Sequence, residues 1–484
     1  MEGNIAATLA RRAHTYGWRD RPLFHSADAT HHHGEVHDAA ARAAGVLHAA
    51  GVRPGHRVLI ALPDSVGFVA ALLGTFRLGA VAVLTGPEQT EAGHAHVLAD
   101  SRPQAAVCVP ELAPRFRTVQ VLTAGDLTDE PVTVPDPVVL PPGAPAYVQY
   151  TSGTTGPPKG AVHRHPDPEA YFQAMAIGAL GVTPDDVIFS LSKACYPYGL
   201  GATVFFPMFC GGSAVLWPEL PTVEGVLEQF RRHRPTLLLT VPTWYARLVD
   251  ASEEHEGVFG SLRAVASAGE PLLPSLADRI ESVFGCPVLD GLGSTEVGHT
   301  FISNTVTRRR RGSLGVVLDP YEIAVRRAAG GPREPGVLYV RGPSVMAGYL
   351  GRPEQTAEVL GADGWLRTGD LVHVDEDGFV HHHGRIRDQL TVSGERVSPL
   401  EVERVLGQHP GVVEVVVVDA ADDDTALRAY VVLATGTLPT QELEAELLAR
   451  VDECLPAHKV PRSVTFLAEL PRTPMGKVHR ATLR

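Results

Sequence analysis

Residues 150–160 read Tyr-Thr-Ser-Gly-Thr-Thr-Gly-Pro-Pro-Lys-Gly and directly follow an apolar run that begins at Ala146. The glycines permit tight backbone turns, the hydroxyls and free N–H groups can surround phosphate oxygens, and Lys159 supplies a positive charge. The Walker A pattern does not fit this stretch, and Pro157 and Pro158 lack N–H donors. A bare Thr-Ser-Gly-Thr would be as typical of a surface turn, but the whole string predicts a phosphate-binding loop.

The sequence on both sides of this loop alternates between strand-like and helix-like segments up to about residue 300. The predicted strands are 58–63, 81–84, 105–109, 237–241, 264–267 and 288–289, and the predicted helices are 65–78, 88–98, 242–249 and 273–284. Such alternation predicts βαβ units in mostly parallel sheets, with ligands at the carboxyl ends of the strands.

From about Gly312 the sequence pattern changes to short strand-like runs separated by Gly, Pro and Asp. This pattern predicts a β-rich subdomain over about 312–384. After Gly384 the patterns predict a helix at 399–406, strands at 412–418 and 427–433, a helix at 440–454 and a strand near 464–467. The expected fold class is α/β, with an N-terminal domain of parallel sheets over 1–384 and a small α+β domain over 385–484.

Composition excludes several classes of protein. The formal net charge is −13 over 484 residues, which argues against non-specific binding to nucleic acid or to an anionic membrane. No basic and then apolar segment opens the sequence, and the most apolar region, 201–218, contains Pro207, so we expect a core segment there. Five scattered cysteines without a Cys-x-x-Cys pattern are typical of a reducing cytosol. We expect a cytoplasmic protein that binds neither nucleic acid nor membrane.

Two histidine triplets, at 31–33 and 381–383, suggest metal binding at first sight. Neither has the i, i+4 spacing of helical ligands, and neither has cysteine or aspartate companions in a closed pattern. We therefore predict no metal role for either triplet.

Five motifs in the same order resemble those of the adenylate-forming superfamily, which includes acyl- and aryl-CoA synthetases, adenylation domains and luciferases. They are 150–160, Gly-Leu-Gly-Ser-Thr-Glu at 291–296, Trp-Leu-Arg-Thr-Gly-Asp at 365–370, the region 384–401, and Pro-Arg-Thr-Pro-Met-Gly-Lys at 471–477. The resemblance covers nearly the whole sequence. It implies that a carboxylate attacks the α-phosphate of ATP, and that a thiol then displaces AMP.

The resemblance assigns roles to individual residues. Thr295, Glu296 and Lys477 would be catalytic: Thr295 would bind the α-phosphate, Glu296 would hold Mg²⁺, and Lys477 would bridge the substrate carboxylate and the α-phosphate. The nucleotide would be bound by Thr151, Ser152, Gly153, Thr154, Thr155, Gly156, Lys159, Gly269, Glu270, Asp290, Gly291, Asp370 and Arg385. Asp370 would accept hydrogen bonds from both ribose hydroxyls, because a carboxylate only accepts. The C-terminal domain would be mobile, with a hinge near 385–388 at Arg387.

The acyl pocket resembles the benzoate-CoA ligase branch more than the fatty-acyl or amino-acid branches. Substrate-binding positions would be Lys193, Tyr198, Gly199, Ala202, Gly293 and His299. Tyr198 and Gly199 would form a thin slot for an aromatic ring, and His299 would cap a ring edge or bind a substituent. Alternatively, Tyr198 is a core residue and His299 an ordinary loop residue. Ala202 stands where this branch often has Asn, which leaves the preferred ring substituent open.

The leading hypothesis is an ATP- and Mg²⁺-dependent aryl-CoA ligase that works through aryl-AMP as a monomer or homodimer. The acceptor could instead be the phosphopantetheine of a carrier protein. Adenylation of another oxyanion, such as nitrite for diazotisation of an aryl amine, and a non-catalytic binding homologue stay open as more distant alternatives. The four arginines at 308–311 could attract the 3′-phosphate of CoA or an acidic carrier protein, but a solvated loop is the simpler interpretation.

Overall fold

The structure is a computed structural model that describes residues 3–27, 29–128, 133–151, 157–252, 255, 257–327, 331, 334–392, 395–420, 423–434, 436–472 and 478–483. The helices are α1 (Ile5–Thr15), α2 (His33–Ala49), α3 (Val66–Arg77), α4 (Glu91–Ser101), α5 (Asp167–Tyr171), α6 (Pro197–Gly199), α7 (Phe206–Cys210), α8 (Val223–His233), α9 (Pro242–Ala251), α10 (Pro274–Phe284), α11 (Pro353–Val359), α12 (Pro399–Leu406) and α13 (Gln441–Cys454).

The strands of the first half are β1 (Pro22–His25), β2 (Thr30–His32), β3 (Arg57–Ala61), β4 (Val81–Leu84), β5 (Ala105–Cys108), β6 (Gln120–Leu122), β7 (Pro145–Tyr150), β8 (Gly160–Arg164), β9 (Val187–Ser190), β10 (Ser213–Val215) and β11 (Leu237–Thr240). Those of the second half are β12 (Ala264–Ser267), β13 (Val288–Gly293), β14 (Thr300–Ser303), β15 (Val316–Val317), β16 (Glu322–Arg326), β17 (Gly336–Arg341), β18 (Gly348–Tyr349), β19 (Leu366–Val374), β20 (Val380–Arg385), β21 (Leu390–Val392), β22 (Glu395–Val397), β23 (Val412–Ala420), β24 (Asp423–Leu433) and β25 (Ser463–Leu467).

Two large sheets carry the fold within the described residues. One has the order β15-β14-β13-β12-β11-β9-β10-β1-β2, and the other has the order β18-β8-β7-β4-β3-β5-β6. From β13 to β1 in the first sheet and from β7 to β6 in the second, neighbouring strands are parallel. The predicted α/β class with parallel sheets is confirmed.

The strands of both sheets are short apolar runs, and their side chains fill a shared core. Val58 and Ile60 of β3 belong to the same buried cluster as Leu237 and Leu239 of β11. Side chains on the opposite face of β11, such as Leu238, belong to a second cluster with α8 to α10. Burial of both faces explains why these strands read as continuous hydrophobic runs rather than as alternating patterns.

Side-chain caps mark the start of several helices. The Ser65 hydroxyl accepts from Phe68 N at the start of α3, and the Thr440 hydroxyl accepts from Leu443 N at the start of α13. Both starts agree with the sequence pattern. The predicted start of α4 at 88 is wrong by three residues, because Thr90 caps this helix through Gly93 N.

Downstream of the large sheets, β16-β17-β19-β20 form an antiparallel sheet, and β23-β24-β25 form a smaller sheet with α12 and α13 beside it. These elements match the β-rich and α+β regions that the sequence predicts. The domain boundaries at 384/385 and the mobility of the C-terminal part stay predictions.

Candidate active site

A cavity of about 950 Å³ opens where the carboxyl ends of β11 and β12 meet the β7–β8 hairpin and the antiparallel sheet. Thr240 and Ala268 border it from the strand ends, Lys159 borders it from the hairpin, and Arg367 borders it from β19. The cavity therefore lies at the edge where parallel sheets usually bind ligands.

The predicted phosphate loop joins two antiparallel strands, β7 and β8. Thr151 N donates to Lys159 O at 2.9 Å, and Lys159 N donates to Thr151 Oγ1 at 3.2 Å, so the two ends of the loop are tied together. Both residues line the cavity. Ser152, Gly153, Thr154, Thr155 and Gly156 lie outside the described residues, so their nucleotide contacts stay predictions.

The backbone of the Thr295–Glu296–Val297 segment is held by three hydrogen bonds from distant parts of the chain. His163 Nε2 donates to Thr295 O at 2.7 Å, Met346 N donates to Glu296 O at 2.8 Å, and Ser344 Oγ donates to Val297 O at 2.6 Å. The buried Asp167 carboxylate lies 3.3 Å from His163 Nδ1, so each nitrogen of this imidazole faces an oxygen acceptor. The two predicted catalytic side chains therefore project into the cavity from an immobilised backbone.

Tyr349 contacts two charged residues at one end of the cavity, Lys159 and Glu296. Its hydroxyl donates to Glu296 Oε1 at 2.7 Å, and Lys159 Nζ lies 4.7 Å from the centre of its ring. Burial, followed by the Glu296 charge, raises the pKa of Tyr349 far above its usual value, so the phenol stays protonated and keeps donating. The structure thus brings Lys159 and Glu296 together through a tyrosine that the sequence analysis did not identify.

Asp370 and Arg385 face each other across β19 and β20. Arg385 Nε donates to Asp370 Oδ1 at 3.2 Å, and His382 Nε2 lies 3.2 Å from the same oxygen. Although burial acts to raise the pKa of Asp370, the His382 hydrogen bond and the Arg385 charge hold it below its usual value. Asp370 is therefore an ionised acceptor, as ribose binding would require. It lies just behind the cavity wall, which Gly369 and Arg385 form on either side.

An aromatic cluster forms the other end of the cavity. The His299 ring lies 5.1 Å from the Tyr198 ring, 5.4 Å from the Tyr171 ring and 5.0 Å from the Phe206 ring, measured between centroids. A Cβ on Gly201 would lie 2.4 Å from His299 Cδ2, so only glycine lets the imidazole pack this closely. Tyr198, Gly293 and His299 line the cavity, and their contact with a substrate stays a prediction.

His299 is neutral in this cluster. Burial lowers its pKa to about 3, although a hydrogen bond to the Tyr198 carbonyl, at 3.2 Å from Nε2, opposes this effect. Nε2 is the donor, so Nδ1 is an acceptor. Among the described residues, neither His299 Nδ1 nor the Tyr198 hydroxyl has a hydrogen-bond partner. One acceptor and one hydroxyl are therefore buried and unsatisfied beside the slot.

Asp370 and four other predicted residues that the structure describes do not line the cavity, so the direct contacts expected of them stay predictions. Ala202 is fully buried in a π-helical segment, Leu200–Phe205, and Gly199 packs against the Ser192 and Lys193 carbonyls, where a Cβ would lie 2.2 Å away. Gly291 is a buried strand residue, and a Cβ at this position would lie 2.7 Å from Ile302 O. Asp290 borders a separate cavity of about 370 Å³ beside α10. These residues shape the site from behind its wall.

Lys193, Gly269 and Glu270 line the cavity. The Lys193 ammonium already donates to Trp217 O at 2.7 Å and to Glu219 O at 2.6 Å. These two bonds hold the side chain along the wall, so Lys193 is better placed to support the slot than to contact a carboxylate.

The C-terminal region reaches the cavity through Arg472, which lies on its wall together with Arg385 and the predicted hinge residue Arg387. Arg387 belongs to a 3₁₀ turn, Ile386–Asp388, that follows Gly384 with a φ of +86°. Lys477 lies outside the described residues, so its role and the hinge role of Arg387 stay predictions.

The histidine triplets and the arginine run have other partners. His381 contacts Asp375, His382 contacts Asp370 and His383 contacts His373, and the part of the chain that the structure describes holds no group of three metal-ligating side chains. Arg309, Arg310 and Arg311 pair with acidic side chains on α10 and on the β19–β20 turn. In the same described residues, no helix is long and apolar enough to cross a membrane.

Sequence reasoning missed Tyr349, His163 and Arg472. Tyr349 lies 53 positions from Glu296, and His163 lies 132 positions from Thr295. No local pattern connects residues at such separations. Arg472 lies inside the motif at 471–477, but the residues around it in the sequence do not indicate that it contacts Thr243, Glu270 or Glu414.

Comparison with known proteins gives the family. The model of the AMP-binding enzyme family matches residues 9–350, and the model of the AMP-binding enzyme C-terminal domain matches residues 401–477. The chain is 41% identical to p-hydroxybenzoic acid–AMP ligase of Mycobacterium tuberculosis over 490 aligned positions, which cover 100% of this chain and 69% of that protein. It is 35% identical to 4-hydroxybenzoate–CoA/benzoate–CoA ligase of Rhodopseudomonas palustris, over 93% of this chain and 88% of that one.

Solved structures agree with these relatives. A benzoate CoA ligase from Burkholderia xenovorans superposes with a TM-score of 0.90 at 31% identity, covering 99% of both chains. An anthranilate CoA ligase in complex with anthranoyl-AMP superposes with a TM-score of 0.91 at 28% identity, covering 99% of this chain and 96% of that one. The chain is a member of the AMP-binding, adenylate-forming enzyme family.

Proposed function

We propose that the protein activates an aromatic carboxylate with ATP and transfers the activated aryl group to the thiol of coenzyme A. One observation carries the proposal. A single cavity joins the Lys159–Tyr349–Glu296 phosphate end to the Tyr198–His299 aromatic slot, with the Asp370–Arg385 pair at the wall beside them. Such a cavity holds the two substrates that aryl adenylation must bring together.

In the first half-reaction a carboxylate oxygen attacks the α-phosphorus of ATP. A new O–P bond forms between the carboxylate and the α-phosphorus. The bond between the α-phosphorus and the bridging oxygen breaks, and pyrophosphate leaves with the electron pair. Two anions must meet in this step, so the site has to neutralise charge. Lys159 would bind the β- and γ-phosphates, Thr295 would donate to the α-phosphate, and Lys477 would bridge the two reacting groups.

The Glu296 carboxylate is suited to hold the expected magnesium ion. Mg²⁺ prefers oxygen ligands and is usually bound by one or two carboxylates together with substrate phosphates. When bound, the ion would neutralise phosphate charge. The contribution of the chain is to aim Glu296, and the Tyr349 hydroxyl does so from 2.7 Å.

In the second half-reaction the thiol sulfur attacks the carbonyl carbon of the aryl adenylate. A C–S bond forms, the C–O bond to AMP breaks, and the thiol proton is released. Asp370 and Arg385 would keep the ribose and phosphate of the leaving AMP in place, since their pairing gives a rigid acceptor next to a cation.

The polar atoms of the slot favour a ring that carries a hydroxyl group. A ring hydroxyl can donate to His299 Nδ1 and accept from the Tyr198 hydroxyl, both of which are unpartnered within the described structure. Leaving a buried polar atom unsatisfied costs about 1–3 kcal/mol, so a hydroxylated ring binds better than an unsubstituted one. Two relatives named above are named for hydroxybenzoate.

The acceptor has a second candidate, the phosphopantetheine thiol of a carrier protein. The chain is 41% identical to the p-hydroxybenzoic acid–AMP ligase and 35% identical to the CoA ligase named above. The name of the first relative gives the adenylate as its product and no CoA thioester. Magnesium use, a cytoplasmic location and a monomeric or homodimeric state belong to the same proposal.

Mass spectrometry of the products tests both steps. The protein is incubated with ATP, Mg²⁺ and 4-hydroxybenzoate, first without a thiol, then with CoA, then with a phosphopantetheine-loaded aryl carrier protein. We expect aryl-AMP without a thiol and aryl-CoA with CoA. Aryl-AMP that is consumed only by the carrier protein selects the second acceptor, and no aryl-AMP under any condition contradicts the proposal.

A further inference from the structure

Arg472 connects the C-terminal region to the wall of the cavity. Its Nη1 donates to the Thr243 hydroxyl at 3.1 Å and lies 3.9 Å from Glu270 Oε1. Thr243 opens α9, and Glu270 follows β12, so both belong to the N-terminal part of the chain. These contacts join regions more than two hundred positions apart.

The partners of Arg472 form one connected group. Arg472 Nη2 donates to both carboxylate oxygens of Glu414, at 2.6 and 2.8 Å, and Glu414 lies on β23 of the C-terminal region. On the other side, the Thr243 hydroxyl donates to Glu270 Oε2 at 2.7 Å, and Thr243 N donates to the same oxygen at 3.2 Å. Glu414 therefore orients the Arg472 guanidinium from within the C-terminal region. Thr243 and Glu270 contact the same guanidinium from the N-terminal part of the chain.

The charge balance makes the cation necessary in this arrangement. The Glu414, Glu270 and Arg472 side chains are each exposed by less than a fifth. Burial, opposed by the Arg472 charge and assisted by the Glu270 charge, raises the pKa of Glu414. Without Arg472, two partly buried carboxylates would face each other with the weaker Arg247 charge to offset them, which opposes this docking of the two regions.

Arg472 also closes the base of the segment that carries Lys477. Arg472 and Val478 form an isolated antiparallel bridge, and His479 N donates to Pro471 O at 2.7 Å. The residues before and after 473–477 are thus paired with each other. An anchor on Arg472 therefore also holds Val478, the described residue on the other side of 473–477.

We propose that Arg472 is a positioning residue that latches the C-terminal region onto Thr243 and Glu270, in the pose from which Lys477 would act in adenylation. This inference rests on the proposed function, because only adenylation uses Lys477. Release of the latch would free the region to leave the cavity before the thiol attacks. Arg472 therefore favours the first half-reaction specifically, without contacting the reacting atoms.

The first test compares the two half-reactions in matched variants. Arg472→Met and Thr243→Val remove the contact from opposite sides, Arg472→Lys keeps the charge, and Lys459→Met breaks an ion pair to Glu401 that lies wholly in the C-terminal region. We expect Arg472→Met to lower aryl-dependent pyrophosphate exchange about tenfold or more. Thioester formation from supplied aryl-AMP should not fall with it, and Arg472→Lys should recover part of the exchange. An equal loss in both half-reactions, or the same loss in Lys459→Met, overturns the latch.

The second test needs no catalysis and also guards against misfolding. Cys454 is exposed and the other four cysteines are buried, so a spin label on Cys454 and one on an introduced Tyr16→Cys report the distance between the two regions. We expect Arg472→Met to broaden or shift the distance distribution, while Lys459→Met keeps that of the wild type. Identical distributions in wild type and Arg472→Met overturn the latch. If the wild-type protein shows no pyrophosphate exchange, the proposed function is contradicted instead. The distance distributions then still test whether Arg472 holds the two regions together.

Discussion

At the residue scale, the hydroxyl of Tyr349 is the contact that aims the Glu296 carboxylate. A hydrogen bond to a charged group contributes about 1.5–3 kcal/mol. We therefore expect Tyr349→Phe to slow aryl adenylation about 10- to 100-fold and to raise the Mg²⁺ concentration needed for half-maximal rate. Pyrophosphate exchange measured across a magnesium titration gives both quantities.

Tyr339→Phe serves as the control, because this residue lies on β17 with Arg326 over its ring, away from the cavity. It should leave the magnesium titration unchanged. A Tyr349→Phe enzyme with the magnesium curve of the wild type would show that the hydroxyl does not aim Glu296.

Asp290 predicts a pH dependence of folding stability. Burial raises the pKa of Asp290 from 3.8 to about 8, although the Arg404 charge and the Gly291 N–H oppose this effect. Between these two values the folded protein binds a proton that the unfolded chain has lost, so the stability contributed by this group falls as the pH rises from about 4 to 8.

Asp290→Asn cannot titrate, so its free energy of unfolding should vary less with pH over this window than that of the wild type. Denaturant unfolding at several pH values measures the two slopes. Equal slopes would mean that Asp290 has an ordinary pKa in the folded protein.

Residues whose roles depend on a local motif could be predicted from the sequence, and residues recruited from elsewhere in the chain could not. Lys159, Thr295 and Glu296 stand in recognisable strings, and the structure places all three at one cavity. Tyr349 and His163 act through contacts that form only when β18 and β8 pack beside the Thr295–Glu296 segment. Ala202 and Gly291 were assigned direct contacts because motif position does not distinguish a cavity wall from the layer behind it.

At the element scale, the arginine run at 308–311 joins helix α10 to the β19–β20 turn. Arg310 pairs with Asp375 and Asp377 in the β19–β20 turn, and Arg311 pairs with Glu281 on α10 at 2.6 Å. Arg310 also lies 4.3 Å from the centre of the Phe379 ring. These contacts give the run a structural role in joining the antiparallel sheet to the large one.

Arg310→Gln should therefore lower the melting temperature, and more so at low salt, because exposed ion pairs are screened by ions. The KM for CoA should stay at the wild-type value. Thermal unfolding at two salt concentrations, with CoA kinetics alongside, checks both expectations. A raised KM for CoA with an unchanged melting temperature would favour the phosphate-binding interpretation of the run.

Several elements followed from the sequence with their bounds. The strands Val81–Leu84 and Ala264–Ser267 and the helix Pro399–Leu406 have the predicted bounds. The π-helical segments Phe172–Ala179 and Leu200–Phe205 were not anticipated. A π-helix arises from packing around its extra residue, here beside the Tyr171–His299–Phe206 cluster, and it leaves no regular spacing in the sequence.

At the scale of the whole molecule, the cavity exists because several parts of the chain contribute one wall each. The β7–β8 hairpin brings Lys159, β12 brings Glu270, β20 brings Arg385, and the C-terminal region brings Arg472. The sequence predicted the parallel sheets and the order of the motifs. It could not predict which pose the C-terminal region adopts, because that depends on contacts such as Arg472–Thr243 between distant segments.

The most direct test of the central claim is exchange of labelled pyrophosphate into ATP by the wild-type protein without any thiol. The account predicts that 4-hydroxybenzoate raises the exchange far above the level without acid, and that unsubstituted benzoate raises it less. A folded protein whose exchange stays at background with every hydroxylated or unsubstituted benzoate would contradict the account.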